Sequence, residues 1–308
     1  MLNRHFLRSK VLQELYAAKI NDSSNIDVHC KKLIDSCYSL NDLQVYLFAA
    51  LLEMHKIAQE KIEESKQKML PTESDLNPNL KFVENDFFKI LIENDDLKKR
   101  INALKINFFE QRDVLKSIFN KFILSASYKN YMLSIKESIA QERLIVVQLF
   151  KNYLIANEQF FDLICEYNLS WESDYDLIAQ LSLKKLKECE DKLILDDLDD
   201  LDKNFIESLI RNTIINDEEF TKMIHLRVKN WDLDRVALMD TIIIKMGISE
   251  LIYCPEIPVN VTLNEYVELS KEFSTQKSKL FVNGLLDKLM VDLKAKGKIK
   301  KIEEDINE

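Results

Sequence analysis

The chain has 308 residues, and 46% of them are hydrophobic, which is enough for one large domain or two ordinary ones. Only three glycines and four prolines occur, so β-turns and phosphate-binding loops lack their usual residues, and an all-α fold is expected. The net charge of −9 argues against indiscriminate coating of nucleic acid. Both ends of the chain are basic, however: residues 1–19 hold four basic residues and one acidic residue, and residues 271–301 hold nine basic and three acidic residues. A polyanion should therefore bind at the two ends.

The first predicted helix runs from about Asn3 to Ile20. Its apolar residues recur every three or four positions and predict one buried face. We expect the basic side chains outside this face to point to solvent, and they are Arg4, Arg8 and Lys10.

Helices are also predicted for most of the central part of the chain. One or two long helices occupy residues 26–70, where Pro71 and Pro78 then prevent continuation. Further helices follow over residues 80–168. Residues 188–202 are strongly acidic.

The last third of the chain contains three predicted helices. The first spans Trp231–Tyr253 and ends before Pro255 and Pro258, because proline cannot continue the helical hydrogen bonds. Thr262 and Glu265 then have the spacing of a capping box, which predicts that a short helix starts there.

The last predicted helix runs from about Lys279 to Leu293. Gly284 lies inside it, where glycine costs roughly 1 kcal/mol relative to alanine, so a close contact with a neighbouring helix is its expected role. The charged residues 294–308 are expected to form a disordered tail.

Short pieces of sequence at the two ends of the chain occur in a definite order. They are Val11-Leu12-Gln13-Glu14-Leu15-Tyr16-Ala17, Asp234-Arg235-Val236-Ala237-Leu238, Ser249-Glu250-Leu251, Ile257-Pro258, Asn264-Glu265, Glu268-Leu269 and Phe281-Val282-Asn283-Gly284-Leu285-Leu286-Asp287-Lys288. In this order they resemble the NusB family of bacterial transcription antitermination factors. The resemblance covers residues 4–17 and 205–289, and the long stretch between them resembles nothing in short members, so we expect a long-insert version.

The resemblance implies an all-α fold of two helical sub-bundles, here with a large additional helical insertion. It divides the chain into a first helix (1–21), the helical insertion (22–202), a C-terminal helical bundle (203–293) and the tail (294–308). It also implies a cytoplasmic protein that binds the boxA element of ribosomal RNA leaders together with ribosomal protein NusE, within the antitermination complex of RNA polymerase.

The candidate RNA contacts follow from the chemistry of single-stranded RNA, which is bound by cations at its phosphates and by aromatic rings under its bases. The residues expected to contact RNA are Arg4, Arg8, Lys10, Lys277, Lys279, Phe281 and Lys288. Phe281 also has the spacing of a core residue, and the basic residues of the first helix could simply be solvated. These alternatives stay open.

One pair of positions departs from the family pattern. Members of the family usually carry two acidic residues just before the last helix, where this chain has Gln276 and Lys277. The attraction for RNA should rise locally, whereas any partner contact made through those carboxylates is put in doubt. The first helix also has fewer arginines than many relatives, so its salt-dependent affinity should be weaker.

The sequence carries no signature of an enzyme. It has no glycine-rich phosphate loop, nucleophile elbow or Cys-x-x-Cys pair, and its four histidines lack the spacing of metal ligands, so we expect no cofactor and no metal. No apolar run could span a membrane, no signal peptide is read, and five scattered cysteines fit reduced thiols.

Two alternatives remain: a helical protein-interaction scaffold without specific RNA binding, and a homodimer that hides the RNA face until NusE binds.

Overall fold

The structure, a computed structural model, describes residues 4–23, 25–135, 138–195, 197–228 and 237–301. Within these ranges all regular secondary structure is helical, so the prediction of an all-α fold is confirmed. No helix in the described part of the chain is both long enough and apolar enough to cross a membrane.

Fifteen α-helices are found in these ranges, together with a π-helical turn at residues 150–154 and a 3-10 turn at residues 169–174. The α-helices are α1 Arg4–Ile20, α2 Ile26–Lys66, α3 Glu73–Leu76, α4 Asp86–Ile92, α5 Asp95–Ala103, α6 Arg112–Ile123, α7 Ala126–Leu133, α8 Ile139–Leu149, α9 Glu158–Tyr167, α10 Tyr175–Glu188, α11 Asp200–Ile215, α12 Asp217–Arg227, α13 Leu238–Tyr253, α14 Val259–Phe273 and α15 Gln276–Ala295. Residues 26–66 thus form one helix. The predicted start of α13 at Trp231 lies outside the described residues.

The chain forms two compact units, which we name the terminal unit (residues 1–38 and 197–308) and the central unit (residues 39–196). In the terminal unit, α13 packs against α1, α11, α12, α14 and α15. Residues 242–251 of α13 are all buried. A helix surrounded on all sides needs apolar residues around its whole circumference, and this explains the absence of a single apolar stripe in α13.

Gly247 in α13 provides the close helix contact that the sequence analysis had assigned to Gly284. A Cβ added at Gly247 would lie 2.8 Å from Cδ2 of Leu286 in α15 and 3.4 Å from Cδ2 of Tyr266 in α14. A Cβ added at Gly284 would meet no heavy atom within 4 Å. The prediction of a close helix contact at Gly284 is therefore wrong for the described residues, because an added Cβ would meet open space there.

The starts of the last two helices differ from the prediction. α14 begins at Val259 after Pro258, whose fixed φ suits a helix start, and Thr262 lies one turn inside the helix. α15 begins at Gln276, because the Thr275 hydroxyl accepts a hydrogen bond from the Ser278 amide at 3.3 Å and caps the helix.

The central unit has a core rich in aromatic side chains. Phe82 lies at its centre, with ring centroids 5.4 Å from Phe88, 5.7 Å from Phe119 and 5.8 Å from Phe122. Asparagine side chains cap the starts of α4, α5 and α9, since each accepts a hydrogen bond from a backbone amide of the first turn. These caps let several short helices start and stop within a small space.

Candidate functional site

A buried ion pair between Arg8 and Glu250 holds α1 on α13. Nε of Arg8 donates a hydrogen bond to Oε2 of Glu250 at 2.8 Å, and Nη2 donates to Oε1 at 2.8 Å. The side chains are 2% and 0% exposed. The planar guanidinium matches both carboxylate oxygens, and this geometry offsets much of the free energy lost when the two charges leave water.

Two hydroxyl groups of α14 complete the surroundings of Glu250. Oη of Tyr266 donates to Oε2 of Glu250 at 2.8 Å, and Oγ1 of Thr262 donates to Oε1 at 2.9 Å. Burial, together with the neighbouring Glu250 carboxylate, raises the pKa of Tyr266 well above its usual value, so the phenol keeps its proton. Thr262 therefore serves the core, and the predicted capping box is wrong.

Arg8 is not exposed as the sequence analysis expected. Its third nitrogen, Nη1, donates to Oε2 of Glu265 at 3.2 Å, and its guanidinium carbon lies 5.2 Å from the ring centroid of Phe205. Burial lowers the pKa of Arg8, but hydrogen bonding and attraction to Glu250 outweigh this and raise it overall. Arg8 thus stays charged and has protein acceptors on all three guanidinium nitrogens. The expectation that it faces solvent is therefore wrong, while its contact with RNA stays a prediction.

Lys10 and Arg4 differ from each other in exposure. Lys10 is only 5% exposed and its ammonium lies 5.5 Å from the ring centroid of Phe6, so the expectation that it faces solvent is wrong. The reason is that α1 is contacted by α11, α13 and α14, and little of its surface stays open. Arg4 is half-buried; Nε lies 3.9 Å from Oδ1 of Asp202, and the guanidinium is 5.3 Å from the Phe205 ring centroid.

Most of the predicted contacts on α15 share one exposed face. Lys277, Phe281, Gly284 and Lys288 are four, three and four residues apart, which places them along one side of a helix. Both lysines are exposed, and Phe281 is half-buried. Leu280 is 75% exposed next to this face. Phe281 is thus neither a fully buried core residue nor hidden from a ligand.

The starts of α1 and α15 meet at α14. A hydrogen bond from Lys271 is the main reason that the pKa of Glu268 is lowered, and the charges of Lys279 and His5 lower it further. Both of these side chains are therefore close enough to act on the same carboxylate. Lys279 itself is half-buried on another side of α15. The starts of α1 and α15 thus both approach α14 near Glu268.

His5 is part of this region and was not singled out by the sequence. Its Nδ1 lies 2.9 Å from Oε2 of Glu265, and its Nε2 lies 3.2 Å from Oε2 of Glu272. Both glutamates belong to α14, more than 250 positions away in the sequence. No local spacing could reveal such a pairing.

Residues 294–301 fold back instead of forming the disordered tail expected from residue 294, and the rest of that expected tail, residues 302–308, lies outside the described residues. Gly297 has a φ of +64°, which lets the chain reverse, and the Lys298 amide donates to the carbonyl of Leu293 at 2.9 Å. Nζ of Lys301 then donates to Oγ1 of Thr262 at 2.6 Å. Burial lowers the pKa of Lys301 to about 8. Residues 294–301 thereby help to cover the Glu250 network.

A second feature of the terminal unit is an open cavity of about 460 Å³ beside the end of α1. Apolar side chains from α1, α11 and α13 line it, among them Leu15, Ile215 and Ile242. Ile215 is 65% exposed, and Ile20 at the end of α1 is 60% exposed. Charged side chains also line the cavity, among them Lys19, Asp217 and Glu218.

The sequence is similar to several curated proteins named transcription antitermination protein NusB. The relative from Methylacidiphilum infernorum is 33% identical over 144 residues, which are 45% of this chain and 93% of the relative. The chain belongs to the NusB family. The model of the NusB family matches residues 154–291. The predicted membership is confirmed, and the extra length fits a long-insert version.

Two other NusB relatives match over shorter ranges. The Bacillus licheniformis protein is 42% identical over 89 residues, covering 29% of this chain and 69% of the relative. The Chloroherpeton thalassium protein is 36% identical over 99 residues, covering 32% of this chain and 47% of the relative. No solved structure matches. The family match starts at residue 154, inside the predicted insertion 22–202, and that boundary stays a prediction.

Proposed function

We propose that this NusB-family protein is a non-catalytic transcription antitermination factor that binds boxA-type single-stranded RNA of ribosomal RNA leaders together with NusE. The observation that carries the RNA part of the proposal is the exposed face of α15 with Lys277, Phe281 and Lys288, next to the start of α1. Cations at this spacing suit phosphates, and a half-open aromatic ring suits a base.

The roles of the basic residues differ in this proposal. Lys277 and Lys288 bind phosphates directly, while Lys279 contributes charge from another side of α15 and Arg4 from the start of α1. Arg8 and Lys10 act indirectly, because their burial in the terminal unit fixes the position of α1. The lysine at position 277, where relatives usually have an acidic residue, strengthens the attraction for phosphates.

A contact with NusE is supported by a different surface. The cavity beside Ile20 and Ile215 offers apolar area that a protein partner would cover, and it is lined by Leu15, Thr213 and Ile242. In this proposal the protein partner binds at this end of α1, and RNA binds the exposed face of α15. The terminal unit could then bind RNA and a protein at the same time, as an antitermination complex requires.

A protein-interaction scaffold without specific RNA binding is the second candidate, and one feature of the central unit favours it. A groove of about 720 Å³ between α2 and α5 is lined by Leu52, Ile92, Ile101 and Phe109. Phe109 is 87% exposed. An exposed phenylalanine beside an apolar groove is the kind of anchor that protein interfaces use.

The direct test is binding of the full chain to a labelled boxA-like RNA and to a scrambled RNA of the same length, each with and without NusE. Fluorescence anisotropy at two salt concentrations gives the affinities and their salt dependence. We expect tighter binding of the boxA-like RNA, and a further gain with NusE. Equal or absent binding of both RNAs under every condition would leave the scaffold as the better account. Sedimentation of the same samples decides whether a homodimer is present.

A further inference from the structure

The ring of His5 lies between two carboxylates of α14. Nδ1 is 2.9 Å from Oε2 of Glu265, and Nε2 is 3.2 Å from Oε2 of Glu272. An ionised carboxylate can only accept hydrogen bonds, and a neutral imidazole has a single N–H group to donate. Both contacts are therefore hydrogen bonds at the same time only when both ring nitrogens carry a proton.

We propose that His5, Glu265 and Glu272 form a proton-dependent latch that holds the first turn of α1 on α14. In the protonated state the imidazolium donates to both carboxylates and its positive charge lies between two negative ones. After loss of the proton, one nitrogen has no hydrogen to donate, and the lone pair of that nitrogen faces a carboxylate oxygen. His5 is thus a positioning residue for α1.

The charged groups around His5 determine how much its proton contributes to holding α1 on α14. Glu265 is shared with Arg8, whose Nη1 donates to the same Oε2 at 3.2 Å, and Arg8 is already bound to Glu250 through its other two nitrogens. On α14, Lys271 donates to Glu268 and therefore offsets that carboxylate first. On α15, Lys279 also acts on Glu268. Glu272 thus depends on His5 more than its acidic neighbours do.

The position of the latch at a helix end adds a second reason. The first turn of α1 contains no acidic residue of its own, although the N-terminus of a helix favours nearby negative charge. Three carboxylates contact side chains of this turn: Glu265 and Glu272 of α14 contact His5, and Asp202 of α11 lies 3.9 Å from Nε of Arg4. The His5 proton therefore adds a positive charge to a turn that has acidic neighbours on two helices.

The latch does not depend on RNA binding. If the proposed RNA function holds, the latch also affects RNA binding, because Arg4 lies one residue before His5 and belongs to the same turn. Release of that turn at higher pH would change the position of Arg4. Loss of the His5 proton would also remove one positive charge from this surface. The latch can therefore be tested on the free protein, and a failure of RNA binding would leave the result intact.

The test compares the wild-type chain with His5→Gln, which has a neutral donor, and His5→Arg, which stays charged at every pH. Hydrogen exchange of the backbone amides in the first two turns of α1 is measured without RNA between about pH 5.5 and 8.5, where histidine changes its charge. Protection factors are corrected for the intrinsic exchange rate at each pH. The matched control is His225→Gln, since His225 is exposed on α12.

We expect wild-type protection to fall by roughly three- to tenfold as pH rises, which is the size of one lost charge-assisted hydrogen bond at a partly exposed site. His5→Gln should show the lower protection at every pH, and His5→Arg should keep the higher protection throughout. His225→Gln should follow the wild type. Nuclear magnetic resonance of the His5 ring should show hydrogens on both nitrogens at the acid end. The proposal would be overturned if His5→Gln showed the same dependence of protection on pH as the wild type. It would also be overturned if the His5 ring carried only one nitrogen-bound hydrogen at the acid end.

Discussion

Arg8 and Glu250 are 242 positions apart in the sequence and form a bidentate pair in the core of the terminal unit, with both nitrogen–oxygen distances at 2.8 Å. A first-helix arginine thus binds a glutamate on α13. Removal of either partner leaves the other charge buried without its ion-pair partner, which in proteins typically costs about 3–5 kcal/mol. The pair is therefore a fold determinant of this protein.

Arg8→Ala should lower the free energy of unfolding by about 3–5 kcal/mol, because the buried Glu250 side chain would lose its ion-pair partner. Urea denaturation followed by circular dichroism measures this. Arg4→Ala is the matched control, since Arg4 is half-buried with a 3.9 Å ion pair, and we expect a loss below about 1 kcal/mol. Unchanged stability of Arg8→Ala combined with loss of RNA binding would restore Arg8 as a direct RNA contact.

Phe281→Ala should weaken binding of a boxA-like RNA by about 1–3 kcal/mol, because one base loses its aromatic partner. The preference over a scrambled RNA should shrink as well. Leu280→Ala changes the neighbouring residue, which is 75% exposed, and should leave RNA affinity nearly unchanged. If Phe281→Ala lowers only the melting temperature, then the ring is a packing residue.

Lys277→Ala and Lys288→Ala should each weaken all RNAs about equally, and each should reduce the slope of log affinity against log salt by roughly 0.7 to 1. The physical reason is that each lysine bound to a phosphate releases a counterion. Lys121→Ala, an exposed lysine of the central unit, serves as the control. A salt slope that stays the same in both variants would mean that RNA does not lie along this face of α15.

Gly247→Ala and Gly284→Ala should change stability in opposite directions. At Gly247 the new methyl group would lie 2.8 Å from Cδ2 and 3.3 Å from Cδ1 of Leu286, so this buried side chain must move, and we expect a loss of about 1 kcal/mol. At Gly284 there is open space, so alanine should stabilise α15 by up to about 1 kcal/mol through its helix propensity. Thermal denaturation of both variants under one condition tests this pair. Destabilisation by Gly284→Ala would contradict the assignment.

Lys301 predicts a pH effect on stability. Burial lowers its pKa from 10.5 to about 8, so between these values the unfolded chain binds more protons than the folded chain. By linkage, the Lys301 contribution to stability should rise as pH increases from about 8 to about 10.5. The difference in melting temperature between the wild type and Lys301→Met should therefore shift in favour of the wild type over this range. A pH-independent difference would show that the Lys301 amine is solvated.

Periodicity and composition predicted much of the architecture. The apolar spacing of α1 gave its extent, the two prolines after residue 70 marked the end of a long helical stretch, and the order of short motifs indicated the NusB family. These features depend on neighbours within a few turns or on matches of sequence, and both can be read from a linear chain.

The tertiary structure decided which side chains are available to a ligand. Arg8 and Lys10 fall outside the apolar stripe of α1, yet both are buried in the folded chain. A period along one helix cannot reveal a partner such as Glu250, which lies 242 positions from Arg8. The same holds for the close helix contact, which lies at Gly247 and not at Gly284, and for the pairing of His5 with two glutamates. The sequence by itself determined the helices, the family and the basic ends, because these are local or additive properties. Which cations stay exposed depends on long-range packing, and only the folded chain sets it.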